Sequence, residues 1–414
     1  MLEKEKKVII VGAGIAGLTA AKLLKAKGFE ILVIEASDGI GGRVRTDEKD
    51  GFLLDRGFQV LLSAYPEAKK LLNYKDLNLK PFLPGAKILY EKGMTEIMDP
   101  LRRPSSFLKT LFSPAGSLGD KLQMFLLKKQ LEKKSVEQIF EENEQTTDSY
   151  LLRKGFSDKM INYFFRPFLS GIFLEKNLFT SSRMFNFVFK MFSEGDTVIP
   201  AKGMGEIPKQ LAKDLMEHEI LLNTKVVAVE ENKVKTESNQ TYEANYIIIA
   251  TDQDHIPSPY QQTQHLKRTV TNMYFTSNVA PFKDPIIALN ANENALVNNI
   301  AVMNQVSALY SKSGESLISI SILDDVSHLH PDELIQKVKS EMSFWFKGVE
   351  NWRYLHSYFI PYALPDQKSV ETKISDSEYK ISKSVYKCGD YLLNGSINAA
   401  MLSAKKVVEL IARN

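Results

Sequence analysis

The chain has 414 residues, enough for two or three domains around a generous core. Its 53 basic and 50 acidic residues nearly cancel to a formal charge of +3, so global charge gives no case for a nucleic-acid partner. A single cysteine, Cys388, excludes an intrachain disulfide framework, CxxC redox chemistry and a cysteine-cluster zinc site, and fits a cytoplasmic setting.

At the N-terminus Lys4, Lys6 and Lys7 precede an apolar run and imitate a secretory signal, but Glu3, Glu5 and the glycine turn that follows read as folded structure. Lys7 to Val11 is a short β-rich run. Gly12, Ala13, Gly14, Ile15, Ala16 and Gly17 form a turn, and Leu18 to Leu24 is helical in pattern, with Gly28 closing the helix. Glu30 to Ile34 is a second apolar strand, with Glu35 at its end. In a dinucleotide site Gly12 permits the tight turn, Gly14 lets backbone approach a pyrophosphate, and Gly17 lets helix and strand pack closely. The diphosphate sits on the helix N-terminus. Glu35, with Ala36 and Ser37 beside it, is placed to accept hydrogen bonds from a ribose diol. A second glycine cluster follows, Gly39, Gly41 and Gly42, with Arg43 able to pair with phosphate oxygens. NAD sites do without such an element, so FAD is the better reading.

The run EASDGIGGRVRT, from Glu35 to Thr46, resembles the flavin-binding signature of the monoamine oxidase, protoporphyrinogen oxidase and phytoene desaturase superfamily. That resemblance implies non-covalently bound FAD in an α/β protein: a Rossmann-like FAD-binding domain with an inserted α+β substrate domain, a helical cap plus a mixed β-sheet. The expected division is 1–60, 200–252 and 381–414 for the FAD domain, and 61–199 and 253–380 for the substrate domain. By the same resemblance Gly57, Phe58 and Gln59, at the end of a strand from Gly51, pass close to the flavin ring, although a plain hairpin with Asp55 as a turn residue also accounts for them.

Pro66 suits the first turn of a helix, and Lys92-Gly93 suggests a hairpin between Lys87–Tyr90 and Glu96–Met98. From Leu101 to about Phe192 the chain is mainly helical in pattern and rich in Phe, Leu and Met. Leu101 to Phe112 mixes bulky apolar residues with bases, and Lys121, Lys128, Lys129, Lys133 and Lys134 follow. A surface helix with a solvated basic face explains this; peripheral contact with anionic lipid is the alternative. Phe164 to Phe173 is aromatic on most faces, which suits a core and equally a tunnel for a lipophilic substrate.

Lys202-Gly203-Met204 resembles the segment that returns the chain to the FAD domain, with Lys202 in place of a glycine. Leu221 to Val229 reads as one alternating strand, and by position Val226 matches the family's backbone contact to adenine. Tyr246 to Ala250 is a buried strand. Strands are expected over Thr271–Ser277, Ile286–Asn290, Leu317–Leu323 and Tyr354–Leu364, with a helix over Pro331–Phe346 that starts near Ser327 or His328. Val385 to Asp390 is a strand ending in Gly389-Asp390. Asn394 to Ile397 leads into a helix over Asn398–Ile411 that Ser396 can cap, and the resemblance gives Asp390 the ribityl chain and sets the start of that helix, with Ile397, against the flavin.

The superfamily's amine oxidases usually carry a lysine near flavin N5 at the start of a substrate-domain strand, and Thr269 to Ser277 contains none. The expected function is therefore FAD-dependent removal of hydride from a small lipophilic substrate, isoprenoid or carotenoid-like, with oxygen or a quinone as electron acceptor. Amine oxidation, redox-neutral polyene isomerisation on reduced FAD, and a non-catalytic flavoprotein are the alternatives. The sequence names no catalytic side chain. It offers no metal site, since His328 and His330 have no third ligand at suitable spacing.

Overall fold

The computed structural model of the chain describes residues 6–99, 102, 113–261 and 265–413. Strand Lys7–Val11 is central in a five-stranded parallel sheet, ordered Ile220–Leu221, Glu30–Ile34, Lys7–Val11, Tyr246–Ile249, Val385–Lys387. Both faces of this sheet are covered, which is why its strands are nearly continuous apolar runs. Val8 and Ile10 face helices Ile15–Lys25 and Ile397–Ala412, while Ile9 and Val11 pack with Val226, Val229 and Val234 of an antiparallel meander. The layer is the expected Rossmann-like α/β arrangement.

Gly12 holds a φ of 105°, a conformation closed to most side chains. It turns the chain so tightly that a Cβ at Gly17 would stand 2.0 Å from the Gly12 carbonyl oxygen. The third glycine of the turn is thus a packing requirement between the helix and the strand.

The run from Leu221 to Val229 is not one strand. Ile220–Leu221 joins the parallel sheet, Val226–Glu230 joins the meander, and the chain breaks between them at Asn223, whose φ is 53°. The break is stabilised by Asn223 N–H donating to the Ser37 carbonyl and Thr224 N–H to the Glu35 carbonyl, both at 2.9 Å. Alternation in the sequence could not register a change of sheet that conserves side-chain period.

The second sheet has seven strands, ordered Arg353–Pro365, Lys267–Ser277, Ser316–Ile322, Asn299–Val302, Ile287–Asn290, Gly85–Tyr90, Gly93–Met98. The Lys92-Gly93 hairpin is present, and its first strand pairs in parallel with Ile287–Asn290. Asn299–Val302 is a strand that the sequence reading lacked; it is four residues long and follows Asn298 with no turn signal of its own. One face of the sheet, with Met273, Phe275, Ile318 and Ile320, is covered by helix Pro331–Met342. That helix is capped by His330, whose Nδ1 accepts from Asp332 N–H at 3.4 Å, and not by Ser327 or His328.

Above the other face lie the helices of the Phe-rich segment, among them Leu118–Glu132, Arg166–Phe173 and Ser182–Glu194. Leu101 and Arg103 to Phe112 of the apolar and basic stretch fall outside the described residues. Arg102 is described and ties the Gly195 carbonyl and the Asp196 carboxylate. Among the described residues no helix is long and apolar enough to cross a membrane.

Gly17→Ala forces a methyl group into a carbonyl oxygen that the Gly12 turn fixes. Its unfolding free energy in urea is expected to fall by about 3 kcal/mol or more, the upper range for overpacking. A loss below about 1 kcal/mol would show that turn and helix can separate freely.

Candidate active site

One cavity of about 1250 Å³ runs from the glycine turn, over one face of the seven-stranded sheet, to helix Leu118–Glu132. Gly12, Gly14, Ile15, Ala16, Glu35, Ala36, Ser37, Gly41, Gly42 and Arg43 line its first part. Gly57, Phe58, Gln59, Val226, Gly389, Asp390 and Ile397 line it too, so distant stretches of the chain converge on one space. Ala13 and Gly17 stand behind the wall. Ala13 N–H donates to Glu35 Oε2 at 2.7 Å, and Gly17 holds the helix against the turn.

The two glycine clusters adjoin. Gly41 N–H donates to the Ala13 carbonyl at 2.8 Å, and a Cβ on Gly42 would lie 3.3 Å from Gly14 Cα. Glu35 is held rigid, with Oε1 accepting from the Ser37 N–H at 2.9 Å and the Ser37 hydroxyl at 2.7 Å. Arg43 does not point its charge at open phosphate space. Its guanidinium donates to Asp390 Oδ1 at 2.6 Å and to the Ala363 carbonyl at 2.9 Å, which joins the second glycine loop to the C-terminal Gly-Asp segment. Gln59 Nε2 donates to the Arg43 carbonyl at 2.8 Å, so Gln59 locks the same loop.

Asp55 is not a turn residue. It is 1% exposed, and its carboxylate accepts from Thr46 Oγ1, Tyr310 Oη at 2.6 Å and Met204 N–H at 2.9 Å. Tyr274 Oη donates to the Asp55 carbonyl at 2.8 Å. Thr46 Oγ1 also accepts from Gly205 N–H at 2.8 Å, so the Gly203-Met204-Gly205 segment is anchored twice. Burial pushes the Asp55 carboxyl up to about 6, against the opposing pull of its hydrogen bonds from Thr46, Tyr310 and Met204. The sequence reading missed this group because its partners lie far away along the chain; the only signal was an acid inside an otherwise apolar strand.

Beyond the glycine loops the wall changes character. Phe164, Phe168 and Ile172 face the cavity, while Phe165, Leu169 and Phe173 are buried in the core, so the aromatic run is cavity wall on one face and core on the other. A π-helical turn, Ile161–Phe165, precedes Arg166–Phe173 and shifts the phase between these faces. Helix Ser182–Glu194 adds Val188, Phe189 and Phe192. The sheet adds Val270, Ile287, Leu289, Asn299, Ser321 and Ile360. None of the residues lining the cavity from these two helices or this sheet is ionisable. Lys267 pairs with Asp254, and neither it nor Lys283 lines the cavity; Val270 takes the inward position on that strand. Cys388 is fully buried outside the cavity, where burial pushes its thiol up to about 12.

The family model of flavin-containing amine oxidoreductases matches residues 15–412, nearly the whole chain. The chain belongs to that family. It is similar to protoporphyrinogen oxidase 2, chloroplastic/mitochondrial, of Arabidopsis thaliana, at 29% identity over 40% of this chain and 32% of the relative. It is also similar to an L-amino-acid oxidase of Crotalus adamanteus, at 24% identity over 59% of this chain and 51% of the relative. The aligned part thus spans a third to a half of these curated relatives. Among solved structures, cyclohexylamine oxidase from Brevibacterium oxydans superposes with a TM-score of 0.71 at 16% identity, covering 99% of this chain and 100% of that one, which shows the shared fold.

This flavin-containing oxidoreductase binds FAD, and the residues present fit that cofactor. A Cβ on Gly14 would meet nothing within 4 Å, so the backbone there borders open space at a helix N-terminus. Glu35 is oriented beside that space, and the C-terminal helix begins at its other side with Ser396 Oγ accepting Ala399 N–H at 3.0 Å. Among the described residues no three His, Cys, Asp or Glu side chains gather as a metal ion would need.

Gly14→Val and Glu35→Ala separate cofactor binding from folding. Both are expected to purify folded, the first colourless because its side chain fills the phosphate space. The second should bind FAD about 10- to 100-fold more weakly, the worth of a charged hydrogen bond. Full flavin absorbance in both proteins would refute the placement. Asp55 predicts a pH dependence of stability. Its folded pKa is raised, so its contribution is complete below about pH 4 and lost as pH rises through about 6. The stability of the native protein minus that of Asp55→Asn is expected to drop by about 2–3 kcal/mol between pH 4 and pH 7. A flat difference would refute the shift.

Proposed function

We propose that the chain uses non-covalently bound FAD to remove hydride from a lipophilic substrate, isoprenoid or carotenoid-like in character. In this reading 1–60, 200–252 and 381–414 hold the cofactor, and 61–199 with 253–380 hold the substrate. The observation that carries it is the wall built by Phe164, Phe168, Ile172, Val188, Phe189 and Phe192 with no ionisable neighbour from those helices or the sheet. A protonated amine brought against this wall would lose its hydration, and the carboxylate that lines the cavity nearby, Asp99 at the end of strand Gly93–Met98, already pairs with Lys128 at 2.9 Å. An apolar chain would instead release ordered water from both surfaces.

When bound, FAD supplies the hydride acceptor and hands the electrons to oxygen or a quinone. The protein's own contribution is alignment and exclusion of water. Hydride transfer from carbon depends on the approach geometry more than on an acid or base, so the absence of a catalytic dyad on the apolar wall is consistent with the reading. The Ile360 side chain lies against the Gly57 turn, where it would crowd any Cβ to 2.9 Å, and Val270 is its partner on the neighbouring strand. They set the floor on which a substrate would lie beside the flavin ring.

Amine oxidation is the competing reading, since amine oxidases share the fold. Anaerobic bleaching of the flavin decides between them. Pooled polyenes in mild detergent are expected to bleach the bound flavin, and pooled primary amines are expected to leave it yellow. Bleaching by amines alone would overturn the proposal, and bleaching by neither would leave redox-neutral isomerisation or simple binding.

A further inference from the structure

We infer that helix Leu118–Glu132 docks the protein on an anionic lipid surface, with the cavity mouth opening onto that surface. The inference deepens the reading of a lipophilic substrate and rests on it for its use, but its own test needs no turnover.

The helix has two apolar faces where one would suffice. Leu127 and Leu131 point into the core, and Asp120 turns with them to accept from Ser157 N–H at 2.7 Å and Ser117 N–H at 2.6 Å. On the opposite side Leu118, Leu122, Phe125 and Leu126 are 64%, 60%, 40% and 50% exposed. Their spacing places all four on one stripe of the helix. Four large apolar side chains in a row are a patch with a purpose, unlike leucines scattered singly over a surface.

The position of the stripe gives it that purpose. Phe125 is both exposed to solvent and part of the cavity wall, together with Lys121, Met124 and Lys128 of the same helix. The stripe therefore borders the opening through which an apolar ligand would enter.

Charge chooses the occupant. Lys129 continues the stripe, its ammonium 6.0 Å from the centre of the Phe125 ring and 2.7 Å from Glu132 Oε2 in a surface pair of little worth, and Lys133 just past the helix is exposed. Bases beside an apolar stripe match an interface in which side chains enter the acyl boundary and ammonium groups meet anionic headgroups. A second copy of the chain would meet this face with the same bases, whereas an anionic headgroup layer complements them.

The test is cosedimentation of the full-length yellow protein with vesicles of phosphatidylcholine alone or mixed with phosphatidylglycerol. Binding is expected to the mixed vesicles and to weaken in high salt. Lys129→Glu with Lys133→Glu is expected to lower that binding at least about 25-fold, taking about fivefold per base lost. Leu118→Ser with Leu122→Ser and Leu126→Ser, all outside the cavity wall, is expected to lower it about tenfold or more while flavin content stays unchanged. The inference is overturned if the native protein pellets with neither vesicle, or if both variants pellet as it does. It is equally overturned if the native protein is a dimer that the leucine variant dissociates, which would assign the stripe to a second copy. Failure of the flavin to bleach with polyenes would touch the substrate reading and leave the vesicle result standing.

Discussion

A carboxylate taken out of water must be surrounded by donors, and Asp55 is where this protein concentrates that demand. Thr46, Tyr310 and the Met204 amide converge on it from three separate stretches of chain, and Tyr274 binds the carbonyl of the same residue. Tyr310, Tyr274 and Met204 are buried and Thr46 half-buried, so these polar groups are costly to leave unpaired. The arrangement thus fixes strand Phe52–Asp55, which leads to Gly57, the segment returning through Gly203, and the sheet that carries Tyr274 in one relation. The cavity lies between these pieces, so its width is set by hydrogen bonds that do not themselves face it.

Around this anchor the cavity combines two kinds of wall. Near the glycine loops it is mostly backbone, with Gly14, Gly41 and Gly42 bringing main chain close and Glu35 and Arg43 held by partners of their own. Farther out it is aromatic and aliphatic. A dinucleotide needs the first, because phosphates bind best where amide groups converge and side chains stand aside. An apolar ligand needs the second. The two walls join without a partition, so a ligand on the second would lie in the same space as one on the first. Met124 and Phe125 of helix Leu118–Glu132 bring the apolar wall to the exposed stripe, with Lys121 and Lys128 beside them.

The glycine turn, the acid at the end of the second strand, the second glycine cluster and the capped C-terminal helix were all legible in the sequence, because each is local. Gly12 needs its φ, Gly17 needs its missing Cβ, and Ser396 caps within three residues. The hairpin at Lys92-Gly93 and the helix from Pro66 are equally local. What failed was non-local. The run from Leu221 to Val229 changes sheets at Asn223 under the pull of the Glu35 and Ser37 carbonyls, and strand Asn299–Val302 exists because neighbouring strands pair with it.

The serines of Ile318-Ser319-Ile320-Ser321-Ile322 show the same limit at the site. Their alternation establishes a strand with one apolar and one polar face, and a polar face normally meets water. Here Ser319 and Ser321 are buried, both donate to Asn272 Oδ1 at 3.2 Å, and Ser321 lines the cavity beside Asn299. Sequence by itself determined the cofactor turn, the period of each strand and the apolar character of the helical segment, since those follow from steric and hydrophobic properties of adjacent residues. Tertiary structure alone decided that Arg43 pairs with Asp390, that Asp55 is a buried anchor and that the serine face looks inward. Each of those depends on which distant group arrives opposite, and a period in one strand carries no information about its partner.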